Sequence, residues 1–391
     1  MAALTLHRAA SARLLLPLIL AGIAFLAAML GGFVVVAPNR LLSGEPLSLW
    51  AAIGPAGALV GLAPFALAAL LAFARARAVL IGLAGGAAML VACALAGHAA
   101  TLLGASAGPL TRVSLGPAFW CLLATGFFIL ADAVERSPTL PGKVIPVLAT
   151  LGLFTALLAS GALSELSLAR EFAVRQSTYL RELSNHITLT GSGLALALLF
   201  GGMVGIFAYS NPRRAGPAMA TLTMVQTIPS LALFALMIGP LTALTALVPG
   251  LRSFGVSGIG TFPAILALAL YGMLPVARGV EAGLSNVPGA IVEAARGMGM
   301  TRSQIFLRTL VPLASPTLFQ TFRVTLVQLI GLATLAALIG AGGLGTFIFQ
   351  GLGQTAADLV LLGALSAIGL ALFCDIVLRG LALLLFRKRA T

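Results

Sequence analysis

The sequence predicts an all-α, polytopic membrane protein with about ten transmembrane helices, and three observations predict it. Hydrophobic residues make up 60% of the 391-residue chain and charged residues only 8%, where a soluble domain carries about 25% charge. Ten runs reach the length a spanning helix needs, about 20 mostly apolar residues: 14–36, 51–73, 78–102, 115–134, 143–162, 187–209, 215–238, 259–277, 319–340 and 356–378. Finally, the cations are distributed unevenly between alternate loops.

With the N-terminus inside, sixteen cations fall on the cytoplasmic side: Arg8, Arg13, Arg75, Arg77, Arg136, Lys143, Arg213, Arg214, Arg278, Arg296, Arg302, Arg308, Arg379, Arg387, Lys388 and Arg389. Six fall outside, at Arg40, Arg112, Arg170, Arg175, Arg181 and Arg252, and Arg323 sits at a span edge. This is the positive-inside bias. It assigns the net charge of +13 to topology, with lipid and not nucleic acid as the surrounding partner. Both termini are expected in the cytoplasm. The first run, 14–36, outlasts a signal-peptide core of about 7–15 residues and reads as a retained span.

Two loops break the pattern of short connections. Residues 163–186, placed outside, carry Glu165, Arg170, Glu171, Arg175, Arg181 and Glu182 and read as a surface-lying helix. They divide the chain into a five-span N-terminal extension, 1–180, and a five-span core, 181–391. No sequence repeat relates the halves, so an inverted-repeat transporter gains no support.

Residues 278–318 form the longest cytoplasmic segment. Pro288 stands at a helix start, and Gly299 is placed to end that helix in the left-handed conformation. Thr301 and Gln304 have capping-box spacing for a second short helix, which Pro312 is expected to stop. The product is a rigid cytoplasmic bracket: either a plain connector or a docking element.

The residue identities favour docking. Glu293-Ala294-Ala295, then Gly299 and Pro312, resembles the EAA motif of bacterial ABC importer permeases, although Thr309, Leu310, Val311 and Pro312 depart from that family's Ile-x-Leu-Pro ending. Gln226-Thr227-Ile228-Pro229-Ser230-Leu231-Ala232-Leu233, Gly258 to Ile265 and Leu329 to Gly345 are similar to the glycine betaine, carnitine and choline permeases. The long extension is similar to the YehY-type permeases of osmoprotectant importers. The resemblance implies a type I ABC importer permease fold for the C-terminal half and a location in the bacterial inner membrane. The partners it implies are cytoplasmic P-loop ATPase subunits, a periplasmic substrate-binding protein and a second permease subunit, identical or related. It makes Glu293, Ala294, Ala295, Gly299 and Pro312 the coupling candidates, and Gln226, Thr227, Pro229 and Ser230 candidates for the translocation path.

Other signals add little. Gly340, Gly342 and Gly345 fit a dinucleotide fingerprint but follow a spanning helix where the fingerprint requires a strand, so a tight re-entry turn is expected. The one Gly-Lys pair, Gly142-Lys143, has Ser137 where a P-loop needs glycine; ATP hydrolysis is expected on another polypeptide, and the chain itself is not read as an enzyme. Pro229 either breaks a helix beside a substrate path or makes an ordinary kink. Gly201/Gly205 and Gly279/Gly283 have close-packing spacing. Asp132, Asp375 and Arg323 are expected to snorkel near span ends.

Cys93, Cys121 and Cys374 read as small hydrophobes, and His7, His98 and His186 as solvated groups, so no metal or cofactor is expected. Trp50, Trp120, Tyr179, Tyr209 and Tyr271 are too dispersed for an aromatic cage around a quaternary ammonium. The chain ends about a dozen residues after the last run, so the substrate-capturing protein is expected to be separate. Three alternatives stay open: an importer for another small substrate such as an amino acid; an ion-driven carrier, against which the lack of a mid-span carboxylate counts; and a non-transporting membrane sensor or assembly factor with the extension as its working part.

Overall fold

The structure, a computed structural model, describes residues 2–39, 42–108 and 110–386. Arg40, Arg387, Lys388 and Arg389 lie outside the described residues, as do the side chains of His7, Arg8 and Arg13. The chain forms two compact units, residues 1–174 and 175–391. Among the described residues nine helices are long and apolar enough to cross a membrane, and Leu15–Leu30 is a shorter apolar helix.

In the first unit, α1 (Ala2–Leu30), α2 (Leu49–Phe73), α3 (Ala78–Ala107), α4 (Pro117–Arg136) and α5 (Leu140–Ala159) carry the apolar runs. Ala84, Ala88, Ala92, Ala96 and Ala100 recur every fourth residue of α3 and are all buried, so a stripe of methyl groups lets neighbouring helices approach closely. The first run ends earlier than expected. Helix α1 stops at Leu30, because Gly31-Gly32 precedes a run of valines that favours extended chain. Val34–Ala37 is strand β1, flanked by β2 (Glu45–Leu47) and β3 (Arg112–Leu115) in an antiparallel sheet of order β2-β1-β3. Val35 lies opposite Pro46 on one side and Ser114 on the other. This sheet, at the shared end of α1 to α4, was not foreseen.

The expected surface helix over 163–186 is only α6 (Ser167–Val174). It docks on the sheet through Arg170 Nη1, which donates to the Thr111 carbonyl at 3.0 Å, and through the Arg112–Glu171 ion pair at 3.9 Å.

In the second unit, residues 176–186 belong to a long helix instead of a loop. Helix α7 (Gln176–Leu196) continues through a π-helical turn, Ala197–Gly201, into α8 (Gly202–Ser210). Glu182 and His186 are therefore buried and not solvated. The run 215–238 is cut at residues 228–229, giving α9 (Gly216–Thr227) and α10 (Ser230–Leu247), and the candidate span shifts to Ser230–Leu247. After a 3-10 turn, Pro249–Phe254, helix α11 (Thr261–Ser285) occupies the centre of the unit.

The close-packing glycines explain this position. A Cβ on Gly201 or Gly205 would strike the backbone of Met273 or Ala277 at 2.6 and 2.5 Å, and one on Gly279 would strike the Thr321 side chain at 2.1 Å. Helix α11 thus has α7–α8 on one side and the helix that carries Thr321 on the other.

Helix α12 (Gly289–Gly297) follows, then a continuous helical path: α13 (Arg302–Ile305), a π turn at Phe306–Leu310, α14 (Val311–Ala333) and a 3-10 turn at Thr334–Ile339. Pro312 is therefore not a stop. A proline lacks the N–H for residue 308 and crowds its carbonyl; the wider π turn, in which the Val311 N–H reaches the Phe306 carbonyl, accommodates that misfit without ending the helix. The path also moves Arg323 from a span edge to mid-helix. There it pairs across to Asp375, Nε to Oδ1 at 3.3 Å, and Arg379 holds the other oxygen at 2.7 Å. Helices α15 (Gly345–Gly353) and α16 (Ala357–Phe386) complete the unit. Asp132, by contrast, pairs with Arg136 in the last turn of α4.

Candidate functional site

The bracket is built from two helix caps placed back to back. Gly299 has φ +77°, a conformation glycine adopts at little cost. Its N–H donates to the Arg296 carbonyl at 2.9 Å, and that of Met300 to Ala295 at 3.2 Å. These two bonds make a Schellman motif. One residue on, the Thr301 N–H reaches Gln304 Oε1 at 2.8 Å while Thr301 Oγ1 accepts from the Gln304 N–H at 3.4 Å, completing the capping box.

Below the caps, Ala295, Ile305, Leu310 and Ala314 pack with Leu284 of α11 in one buried cluster, joined by Met300. The bracket is therefore fixed to both α11 and α14. The two alanines divide: Ala295 is buried in that cluster, whereas Glu293 and Ala294 are exposed with Ile291, Arg296 and Met298. What α12 offers a partner is an exposed surface on which Glu293 and Arg296 flank Ala294.

The helix break supplies the second element. Ile228, preceding a proline, is extended at φ −68°, ψ 127°, as Pro229 requires. Pro229 has no N–H for the Val225 carbonyl, and Ile228 N–H donates there instead at 3.3 Å. The Tyr271 hydroxyl donates to the Ile228 carbonyl, and Gln226 Nε2 donates to the Tyr271 carbonyl at 2.9 Å. That last carbonyl is free because its helical partner in α11 would be Pro275. Gln226 and buried Tyr271 thus form framework, while Thr227 and Pro229 are exposed and Ser230 is half-buried. The Thr227 hydroxyl turns back to the Met224 carbonyl at 2.7 Å and leaves the break to Tyr271. Sequence reasoning missed Tyr271; a second proline four residues beyond it was the available signal.

The third element joins two of the sequence stretches singled out above. The Gly260 N–H donates to the Ile339 carbonyl at 2.8 Å. Beyond it Gly340, Gly342 and Gly343 all have positive φ, making the re-entry turn; no strand precedes them.

The chain is similar in sequence to known proteins. Residues 194–390 match the model of the "binding-protein-dependent transport system inner membrane component" family, and residues 12–169 match "ABC transporter permease YehY, N-terminal domain". The osmoprotectant import permease protein OsmW of Salmonella typhimurium is 35% identical over 211 residues, 54% of this chain and 93% of that protein. The carnitine transport permease protein OpuCB of Listeria monocytogenes is 35% identical over 193 residues, 49% of this chain and 81% of that protein. A solved MetNI methionine ABC transporter is similar at 25% identity and a TM-score of 0.46, covering 52% of this chain and 94% of its own. With half of its length on the inner membrane component model, the chain belongs to the binding-protein-dependent transport system inner membrane component family and is a multi-pass inner-membrane permease subunit.

Proposed function

We propose that this permease passes osmoprotectants of the glycine betaine, carnitine or choline class, delivered by a separate binding protein, and that a cytoplasmic P-loop ATPase docks on α12. The observation that carries the docking is the division of the bracket: Ala295 anchors it to α11 and α14, while Glu293 and Ala294 remain outward. An exposed carboxylate beside the small side chain of Ala294 suits a cleft that offers a cation. The names of the relatives support the substrate class.

In this reading, nucleotide-driven closure of two ATPase subunits pushes the bracket of each of two permease subunits. Because the bracket shares its buried cluster with α11, the push reaches Tyr271 and hence the Ile228–Pro229 break, where Thr227 and Ser230 border the path. Copurification of the tagged chain with its ATPase, wild type against Glu293→Arg, tests the docking. Retention by both forms contradicts it. Uptake of labelled glycine betaine by the reconstituted assembly tests the substrate; uptake of an amino acid in its place moves the reading to another importer class.

A further inference from the structure

The turn at residues 340–345 has an unusual dependence on α7. Three positive-φ glycines give it little stiffness of its own, yet it is held by two ionisable side chains one helical turn apart. Glu182 Oε2 accepts from the Gly343 N–H at 2.7 Å and from Thr346 Oγ1 at 3.4 Å. His186 Nδ1 accepts from the Leu344 N–H at 3.3 Å, and Nε2 lies 3.1 Å from the Ile330 carbonyl. A backbone N–H facing Nδ1 fixes the tautomer: Nε2 carries the proton and donates to Ile330. His186 is wholly buried and Glu182 is 7% exposed. Arg181, at 3.5 Å, faces the other carboxylate oxygen. Burying such groups is costly unless their bonds are made, and an apolar pair would fill the space more cheaply; what the pair adds is a defined position for the turn.

That position matters because of where it lies. Gly193 of α7 abuts Leu268 and Gly205 of α8 abuts Ala277, so α7–α8 and α11 run side by side in the same direction, and both lead towards the bracket end. Helix α14 starts at the bracket and returns. Residues 182–186, the start of α11 and the 340–345 turn therefore meet at the opposite end, where Gly260 also bonds Ile339.

We propose that Glu182 and His186 are positioning residues for transport: they clamp the far end of α7 to that of α14 and its 340–345 turn, which the Gly260–Ile339 bond ties to the start of α11, so that a push at the bracket moves the three helices as one body. Neither touches substrate. The inference rests on the importer reading for its uptake arm alone. In the reconstituted assembly, His186→Phe (ring kept, both bonds lost) and Glu182→Leu lower betaine transported per ATP hydrolysed about ten-fold, with the half-saturating betaine concentration unchanged. His186→Asn, whose Oδ1 can replace Nδ1 as acceptor, and Glu182→Gln restore most of it. Hydrogen exchange of the full-length wild type and the same variants in detergent, with no substrate, reads the clamp itself. The Gly343 and Leu344 amides lose protection about ten-fold in His186→Phe and Glu182→Leu and keep it in the conservative pair. If those amides exchange alike in every form, or if His186→Phe transports as well as His186→Asn, the clamp is refuted. A wild type that fails to take up betaine but shows the exchange pattern refutes the substrate reading and leaves the clamp standing.

Discussion

The side chain of Gln226 completes a hydrogen bond that Pro275 denies to Tyr271. Its amide donates to the Tyr271 carbonyl at 2.9 Å, and the Tyr271 hydroxyl in return satisfies Ile228 beside the break. Two proline defects in neighbouring helices are thus closed by one reciprocal pair. Tyr271→Phe leaves the Ile228 carbonyl without this donor, a loss of about 1–3 kcal/mol, and Gln226→Leu does the same to the Tyr271 carbonyl. Since both links join the same two segments, the double variant is expected to lose less than the sum. Thermal unfolding in detergent of the two single variants and the double variant measures this; strict additivity would mean that the links act separately.

Gly299 allows stability and docking to be separated. A side chain there meets nothing within 4 Å, so Gly299→Ala should cost only the left-handed backbone penalty, about 1–2 kcal/mol. Gly299→Asn should cost less, because asparagine tolerates that conformation. Gly299→Asp is expected to abolish uptake while membrane expression stays normal, a result read by immunoblot and betaine uptake side by side. Unchanged uptake would remove Gly299 from the coupling surface.

Pro312→Ala restores an N–H opposite the Arg308 carbonyl and removes the reason for the π turn at Phe306–Leu310. The helix is expected to lose one residue from that turn and rotate the bracket by about 100°. Thermal stability should hold or rise while ATPase copurification falls. Normal ATPase binding would show that the π turn has another cause.

Asp375 pairs with Arg323 through one carboxylate oxygen and with Arg379 through the other. Its side chain is 20% exposed and that of Arg323 16%, so Asp375→Ala leaves Arg323 poorly compensated and should cost roughly 2–4 kcal/mol, below a fully buried pair. Adding Arg323→Met should recover most of the loss, a rescue visible in melting temperature. An equal loss in the double variant would assign the effect to packing.

Much of this architecture was legible in the sequence because it is local. The bracket needs only Gly299, Thr301 and Gln304 at fixed offsets, and both caps form there. The apolar runs locate the helices for the same reason. Three things were not legible. Pro312 reads as a stop unless a π turn intervenes, and nothing short-range signals one. Glu182 and His186 look solvated until residues some 160 positions later close over them. The β2-β1-β3 sheet pairs segments separated by whole helices, and runs as short as Glu45–Leu47 have no periodicity to detect. The fate of Gln226 likewise depends on Pro275, in another helix.

The small sheet has one consequence for behaviour in a crowded bilayer. One of its two edge strands, β2, is three residues long with Pro46 at its centre, and proline presents no N–H to an incoming strand. An edge of that kind is a poor template for another chain. Neighbouring copies are thus discouraged from zipping together through β2.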